Sequence, residues 1–286
     1  MVQKKAAVVI LYQPDESVKN RIRSYIQHVE KLYIIDNTEA AAFSTHPLLS
    51  DYPKKITLIN EGVNEGIAKR LNQACSLALE EGFDYLLTMD QDSWFDETVV
   101  KAYFKCINDF KERATVSMFG VNHEKKITGT DCSYQECNFL ITSGSVINLE
   151  AYKKVGPFDE DLFIDFVDAE YCFKSIEHGF KIIKFPNIFM HHSLGEIQTK
   201  ISLKNLKPRG RTFHSPARLY YMTRNILYIQ SKYTHRFKKD ISKYKKDLLN
   251  RIKNNLLYKN NKVQTIKMLL KAFKDYKNKR MGKLQD

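Results

Sequence analysis

Apolar positions in the first third of the chain fall into short runs, each closed by polar or glycine residues and separated by stretches with helical spacing. Residues 6–12 predict a buried first strand, 13–15 a turn and 17–30 a helix. Residues 31–35 predict a second strand ending at Asp36-Asn37, and 55–59 a third ending at Asn60-Glu61-Gly62. Asn64-Glu65-Gly66 opens a helix through 81, and 85–89 form a fourth strand that stops at Asp90-Gln91-Asp92-Ser93. Strand and helix alternate, so the expected fold class is α/β: a doubly wound, mostly parallel sheet with ligands at its carboxyl edge. Gly-x-Gly-x-x-Gly does not follow the first strand, which argues against a nicotinamide or flavin enzyme.

Downstream, 116–121 and 137–142 read as strands, the latter leading into Ser143-Gly144-Ser145, and 156–160 as a turn. A helix over 162–179 carries Asp165, Asp168 and Glu170; Asp165 and Asp168 are spaced to share a face, whereas Glu170 points elsewhere. Residues 181–185 and 188–195 read as strands, the second placing His191 and His192 on opposite faces.

Two groups of acids are candidates for chemistry. Asp90 and Asp92 emerge at a strand end, and two hard oxygen donors there suit Mg2+ or Mn2+ with positions left for a diphosphate. The alternative is a helix cap at Asp92 or Ser93. The Asp165, Asp168 and Glu170 group is either a second site or a solvated helix N-terminus favoured by the macrodipole. One histidine of the 191–192 pair is a candidate to complete a metal shell.

Composition narrows the classes. With 286 residues and 43% hydrophobic content, the chain is long enough for one large α/β domain or a domain with an appendage. The net charge of +13 is unevenly placed: residues 198–286 hold 25 Lys and Arg against 4 acids, leaving 21 basic against 29 acidic residues before them. The basic end therefore predicts an anionic surface met by the C-terminal segment, and nucleic acid is not an expected partner. Five cysteines lack a metal-ligand spacing and no secretory signal precedes them, so reduced thiols in a cytoplasmic protein are expected. The apolar runs are too short to span a bilayer.

Residues 195–216, rich in Lys and Arg (Lys200, Lys204, Lys207, Arg209, Arg211), are expected to form a lid over an anionic ligand or a surface loop. Arg218 and Arg224 on the next helix are placed to reach a diphosphate. Two basic amphipathic helices follow, from 241 and from 263, expected to dock on the catalytic domain or to lie on an anionic membrane.

Taken in order, Asp36-Asn37, Asn64-x-Gly66 with Asn72, Asp90-Gln91-Asp92-Ser93, Ser143-Gly144-Ser145, Gly156-Pro157-Phe158-Asp159-Glu160 and Phe163-Ile-Asp-Phe-Val-Asp168-Ala-Glu170 resemble family 2 glycosyltransferases. His191-His192-Ser193-Leu194-Gly195 and Ser215-Pro216-x-Arg218-x-Tyr220-Tyr221-x-x-Arg224-Asn225 are similar to the bacterial rhamnosyltransferase branch. The resemblance covers roughly residues 1–225 and implies an inverting enzyme of the GT-A fold, with a nucleotide-binding half (1–95), an acceptor half (96–225) and a helical extension (226–286).

By that resemblance, Tyr12 and Asp36 surround the nucleobase, Asn64, Gly66 and Lys69 line the nucleotide, and Asp90 lies near the ribose. Asp92 holds the metal with His192 as a further ligand, and Asp168 is the general base. Asp165 and Glu170 are assigned to the acceptor. The family's usual Glu-Asp pair is Val167-Asp168 here, which leaves one acid at that step. The implied donor is dTDP-L-rhamnose. The implied acceptor is a surface polysaccharide or a lipid-linked glycan, reached from the cytoplasmic face of the membrane.

Two other classes share features of the chain. The apolar strand ending in Asp90-x-Asp92 also matches haloacid dehalogenase-like phosphatases, but that nucleophile usually ends the first strand and three precede this one. A nucleic-acid-binding module would have to rely on the basic tail alone.

Overall fold

In the computed structural model, residues 3–39, 50–124, 131–192, 197–201 and 207–285 are described. They divide into two compact units, the first comprising residues 1–160 and 167–193 and the second 161–166 and 194–286.

The first unit is organised on β1 (Lys5–Leu11), whose alternate residues are buried on both sides, as a central parallel strand requires. It pairs in parallel with β2 (Lys31–Asp36) and with β4 (Tyr85–Asp90), and β2 pairs with β3 (Ile56–Asn60). The register sets Ile10 beside Asp90 and Leu11 beside Asp36, so these parallel strands end together and their polar termini share one edge. Helices α1 (Val18–Ile26) and α3 (Val99–Asp109) cover the face carrying Ala7, Val9, Leu87 and Met89, while α2 (Gly66–Glu80) packs Ala68, Leu71, Ala74 and Ala78 against the sheet. Removing one of the large side chains at the heart of this core, such as Phe119, would cost about 3–5 kcal/mol.

Beyond β4 lie the two-residue β5 (Ser93–Trp94), β6 (Val116–Asn122), β7 (Gln135–Glu136), β8 (Ser145–Asn148), β9 (Lys181–Phe189) and β10 (His191–His192). The large sheet runs β3-β2-β1-β4-β8-β6-β9-β7, with β8 antiparallel to both its neighbours. The strand expected over 137–142 is absent: pairing belongs to β7 and β8, and the intervening chain turns so that Leu140 fills the space left by Gly120. At Gly144, φ is +75° and a Cβ would stand 2.5 Å from the Met190 sulfur, so glycine is required where the chain turns into β8. Helix α4 (Leu149–Val155) follows, capped by Asn148, whose Oδ1 accepts from the backbone N–H of Glu150 and Ala151. The expected reduced thiols are corrected at one pair: Cys106 and Cys132 form a disulfide with Cα atoms 5.1 Å apart, brought together from positions 26 residues apart by the fold.

The helix predicted over 162–179 begins later. Helix α5 spans Val167–Glu177, and Phe163, Asp165 and Phe166 before it have φ of 59°, 63° and 68°. Three non-glycine residues in the left-handed region are costly, and they persist only where surrounding bonds dictate them.

In the second unit, β11 (Ile197–Ile201) and β12 (Pro208–Thr212) form an antiparallel hairpin, so part of the expected lid or loop is ordered strand. Lys204 and the rest of 202–206 lie outside the described residues. Helix α6 (Pro216–Tyr258) starts with Pro216 at its first turn and Ser215 Oγ accepting from the Arg218 N–H. The boundary expected at residue 225 falls inside this helix, which breaks helical geometry at Phe237. Helix α7 (Lys262–Lys277) packs on it, with the Tyr220 hydroxyl donating to Asp275 over 2.9 Å. Arg211 ties β12 to α6 by hydrogen bonds to Asn254 (2.7 Å) and the Tyr258 hydroxyl (3.0 Å).

His214 is held neutral. Burial, then the charges of Arg251 and Arg218, push its pKa from 6.5 down to about 4, and Arg251 donates to its Nε2. The unfolded state takes up this proton first, so folding stability falls as pH drops from about 6.5 toward about 4. Melting temperatures across that window are expected to fall less steeply for His214→Gln than for the wild type.

Candidate active site

The carboxyl end of β4 carries the best-formed constellation in the first unit. Asp90, Asp92 and His192 each present a ligand atom, all within 4.8 Å of one another. Their convergence comes from a small antiparallel pairing of β5 with β10, which sets His192 opposite Ser93 and His191 opposite Trp94. The Trp94 and His191 rings stack at 4.8 Å, and His191 Nε2 lies 3.0 Å from Asp96 Oδ1, which fixes the pairing from the outside.

Inside, a chain of polar groups orients the metal-ligand candidates. The Asp90 N–H donates to Ser143 Oγ (3.0 Å), Ser143 donates to Ser93 Oγ (2.8 Å), and Ser93 Oγ stands 2.7 Å from His192 Nδ1. His192 Nδ1 is also 3.4 Å from Asp92 Oδ1. Burial alone would raise the Asp92 pKa, but the hydrogen bond and charge of His192 outweigh it and leave Asp92 below its ordinary value. The same bond to Asp92 raises His192. The His123 and His192 rings meet edge to face, and burial followed by the charge of Lys184 lowers the His123 pKa. Two carboxylates and one imidazole are a donor set suited to a divalent cation. The cap alternative for Asp92 is not realised: α3 has Thr98 at its N-cap, with no side-chain capping bond.

The other strand ends are braced around the β1–β4 edge. Tyr12 and Gln91 exchange two hydrogen bonds, Tyr12 N–H to Gln91 Oε1 (2.8 Å) and Gln91 Nε2 to Tyr12 O (3.0 Å), and Tyr12 is 44% exposed. Asp36 is buried; its carboxylate accepts from the Thr38 N–H (3.0 Å) and from Asn60 Nδ2 (3.4 Å). Asn64 Oδ1 accepts from Asn37 Nδ2 (2.9 Å) and from the Gly66 N–H (3.0 Å), which shapes the turn entering α2. Arg70 was not singled out in the sequence, yet it is buried and holds this loop through Asn37, Glu61 and the Val63 carbonyl. Lys69 is exposed and paired with Glu65. Asn72 secures the turn at 156–160, donating to the Phe158 carbonyl (2.9 Å) and to Glu160 (2.8 Å).

The second acidic group divides. Asp168 sits half-buried in the first turn of α5, where its Oδ1 accepts from the Ala169 N–H at 2.8 Å. Glu170 is fully buried with Lys174 Nζ 3.4 Å from Oε2, so its assignment to the acceptor is corrected: the carboxylate faces the interior. Asp165 does not share a helical face with Asp168, because it precedes the helix at φ 63°.

Within the second unit, Arg218 grips Asp165 with Nε at 3.2 Å and Nη2 at 3.0 Å, and Asn225 Nδ2 donates to the carbonyls of Leu162, Ile164 and Asp165. These bonds dictate the left-handed segment. Arg224 is corrected as well. It is buried, donating to the carbonyls of Asp161 and Gly282 and to the Tyr220 hydroxyl, and is therefore a brace rather than a diphosphate ligand.

No family model matches the chain. It is 27% identical over 243 residues to the dTDP-rhamnosyl transferase RfbF of Shigella flexneri, covering 79% of each protein. Among solved structures, it is similar to S. aureus TarS, with TM-score 0.58 and 14% identity over 96% of this chain, which spans 48% of that protein's chain. A TarS fragment in complex with UDP-GlcNAc gives the same TM-score of 0.58 at 15% identity, with 80% of that chain covered. GalNAc-T7 with UDP, GalNAc and Mn2+ gives 0.55 at 11% identity over 92% of this chain.

Proposed function

We propose that this chain, which has the GT-A fold, is a glycosyltransferase that transfers L-rhamnose from dTDP-L-rhamnose to a hydroxyl of a surface polysaccharide or lipid-linked glycan, with inversion at the anomeric carbon. The observation that carries this reading is the convergence of Asp90, Asp92 and His192 at the carboxyl end of β4. The rhamnosyl-transferring relative supports the choice of sugar.

A bound Mg2+ or Mn2+ would offset the negative charge that builds on the departing diphosphate. Asp92 and Asp90 would supply the carboxylates that hold it, with His192, oriented by Ser93 and Ser143, as a further donor. The exposed Tyr12 ring offers a face on which a base can stack, with Asp36 fixing the Thr38 and Asn60 positions beside it. Asn64 and Gly66 shape the backbone along the nucleotide, with Lys69 contributing positive charge beside it. Asp168 takes the proton from the acceptor hydroxyl as that oxygen bonds to the anomeric carbon and the bond to the diphosphate breaks, its electrons leaving with the diphosphate. Asp165, held by Arg218 within the second unit, is the residue we assign to acceptor binding.

A panel of nucleotide sugars assayed by thermal shift with Mn2+ tests the donor, since a ligand of the folded state raises its melting temperature. dTDP-L-rhamnose is expected to stabilise the protein more than UDP-sugars or GDP-mannose. Stabilisation by GDP-mannose without stabilisation by dTDP-L-rhamnose would overturn the rhamnose assignment.

A further inference from the structure

We propose that α7 and the end of α6 form a docking surface for an anionic lipid bilayer, with the apolar face of α7 lying in the headgroup region. On α7, Val263 is 68% exposed, Ile266 48%, Leu270 65% and Phe273 53%. At spacings of three and four residues these side chains form one stripe along the helix. The residues that pack α7 into its own unit, Thr265, Ala272 and Asp275, lie on a different face. The stripe is therefore not what holds the helix in place. Four large apolar side chains in a row are more than scattered surface residues require, and Leu249 and Leu257 of α6 are exposed too.

The charges around the stripe select the occupant. Lys262, Lys267, Lys274 and Lys277 are exposed on α7; on the helical wheel Lys267 and Lys274 border one edge of the stripe and Lys262 the other. An apolar centre with a lysine border matches a surface that offers acyl chains beneath and anionic headgroups around them. A second copy of this chain fits poorly, because a two-fold interface would set lysine against lysine. Nucleic acid would meet the lysines but gain nothing from Phe273 and Leu270. Among the described residues no helix is long and apolar enough to cross a membrane, so the mode is lying on the surface.

Sedimentation of the full chain with vesicles of phosphatidylglycerol and phosphatidylcholine, against phosphatidylcholine alone, tests this. Binding is expected only to the anionic vesicles and to weaken with salt. Leu270→Glu with Phe273→Glu should reduce it by roughly tenfold or more, and Lys267→Glu with Lys274→Glu should reduce both the binding and its salt dependence. Both pairs are exposed and outside the site at β4, so melting temperature and donor binding should not change. Wild-type protein that fails to bind anionic vesicles, or binds them equally after the Leu270 and Phe273 changes, overturns the proposal. So does concentration-dependent dimerisation that those two changes abolish, which would make the stripe a contact between copies.

Discussion

Asp168→Asn is expected to reduce sugar transfer by about 10²–10⁴-fold, the usual contribution of a positioned general base, while leaving dTDP-sugar and Mn2+ affinity within a few-fold. The amide keeps the shape of the side chain and its Oδ1 can still accept from the Ala169 N–H, but it cannot take up the acceptor's proton. The loss should therefore appear in kcat rather than in donor binding. Asp165→Asn tests the neighbouring alternative. It removes charge from the Arg218 grip and loosens a left-handed segment, so a smaller loss of rate and weaker use of the acceptor are expected. If Asp168→Asn turns over near normally and Asp165→Asn is inactive, the base is Asp165.

Asp92→Asn is expected to act at the other end of the reaction, weakening Mn2+ and donor binding together and lowering transfer by about 10²-fold or more. Changes to groups that merely orient metal ligands already cost 10–100-fold, and a direct ligand should cost at least that much. Here the substitution also removes the charge facing His192, whose Nδ1 lies 3.4 Å from Asp92 Oδ1. Isothermal titration with Mn2+, with and without nucleotide, separates the two effects. Full activity of Asp92→Asn in excess chelator would remove metal from the mechanism.

The parts of this fold written in local pattern were legible in the sequence. β1, β2 and β4 are mostly apolar runs because both faces of a central parallel strand are covered, and their polar ends mark the carboxyl edge of the sheet. Asp90 and Asp92 were visible for the same reason. His192 was expected on a strand over 188–195, whereas 188 and 189 belong to β9 and His191–His192 form the two-residue β10; the partnership of His192 with Ser93 and Ser143 depends on the β5–β10 pairing, which joins segments about a hundred residues apart.

The misreadings share a cause. Helical spacing from 162 onward suggested one helix, yet Asn225 and Arg218 hold its first residues in left-handed geometry through bonds made far along the chain. Arg224 and Glu170 looked like site residues by type. Their burial is a property of tertiary packing that spacing does not reveal. The Cys106–Cys132 bond is equally non-local, and a strand over 137–142 lost out to β8 because Gly144 turns the chain there.

The most direct test of the central claim is the identity of the group released from the donor. Incubated with dTDP-L-rhamnose, acceptor glycan and Mn2+, the protein is expected to release dTDP in step with transfer, and chelator or Asp92→Asn should abolish that release. Release of inorganic phosphate instead, or dTDP release unaffected by both chelator and Asp92→Asn, would contradict a metal-dependent sugar transferase built on Asp90, Asp92 and His192.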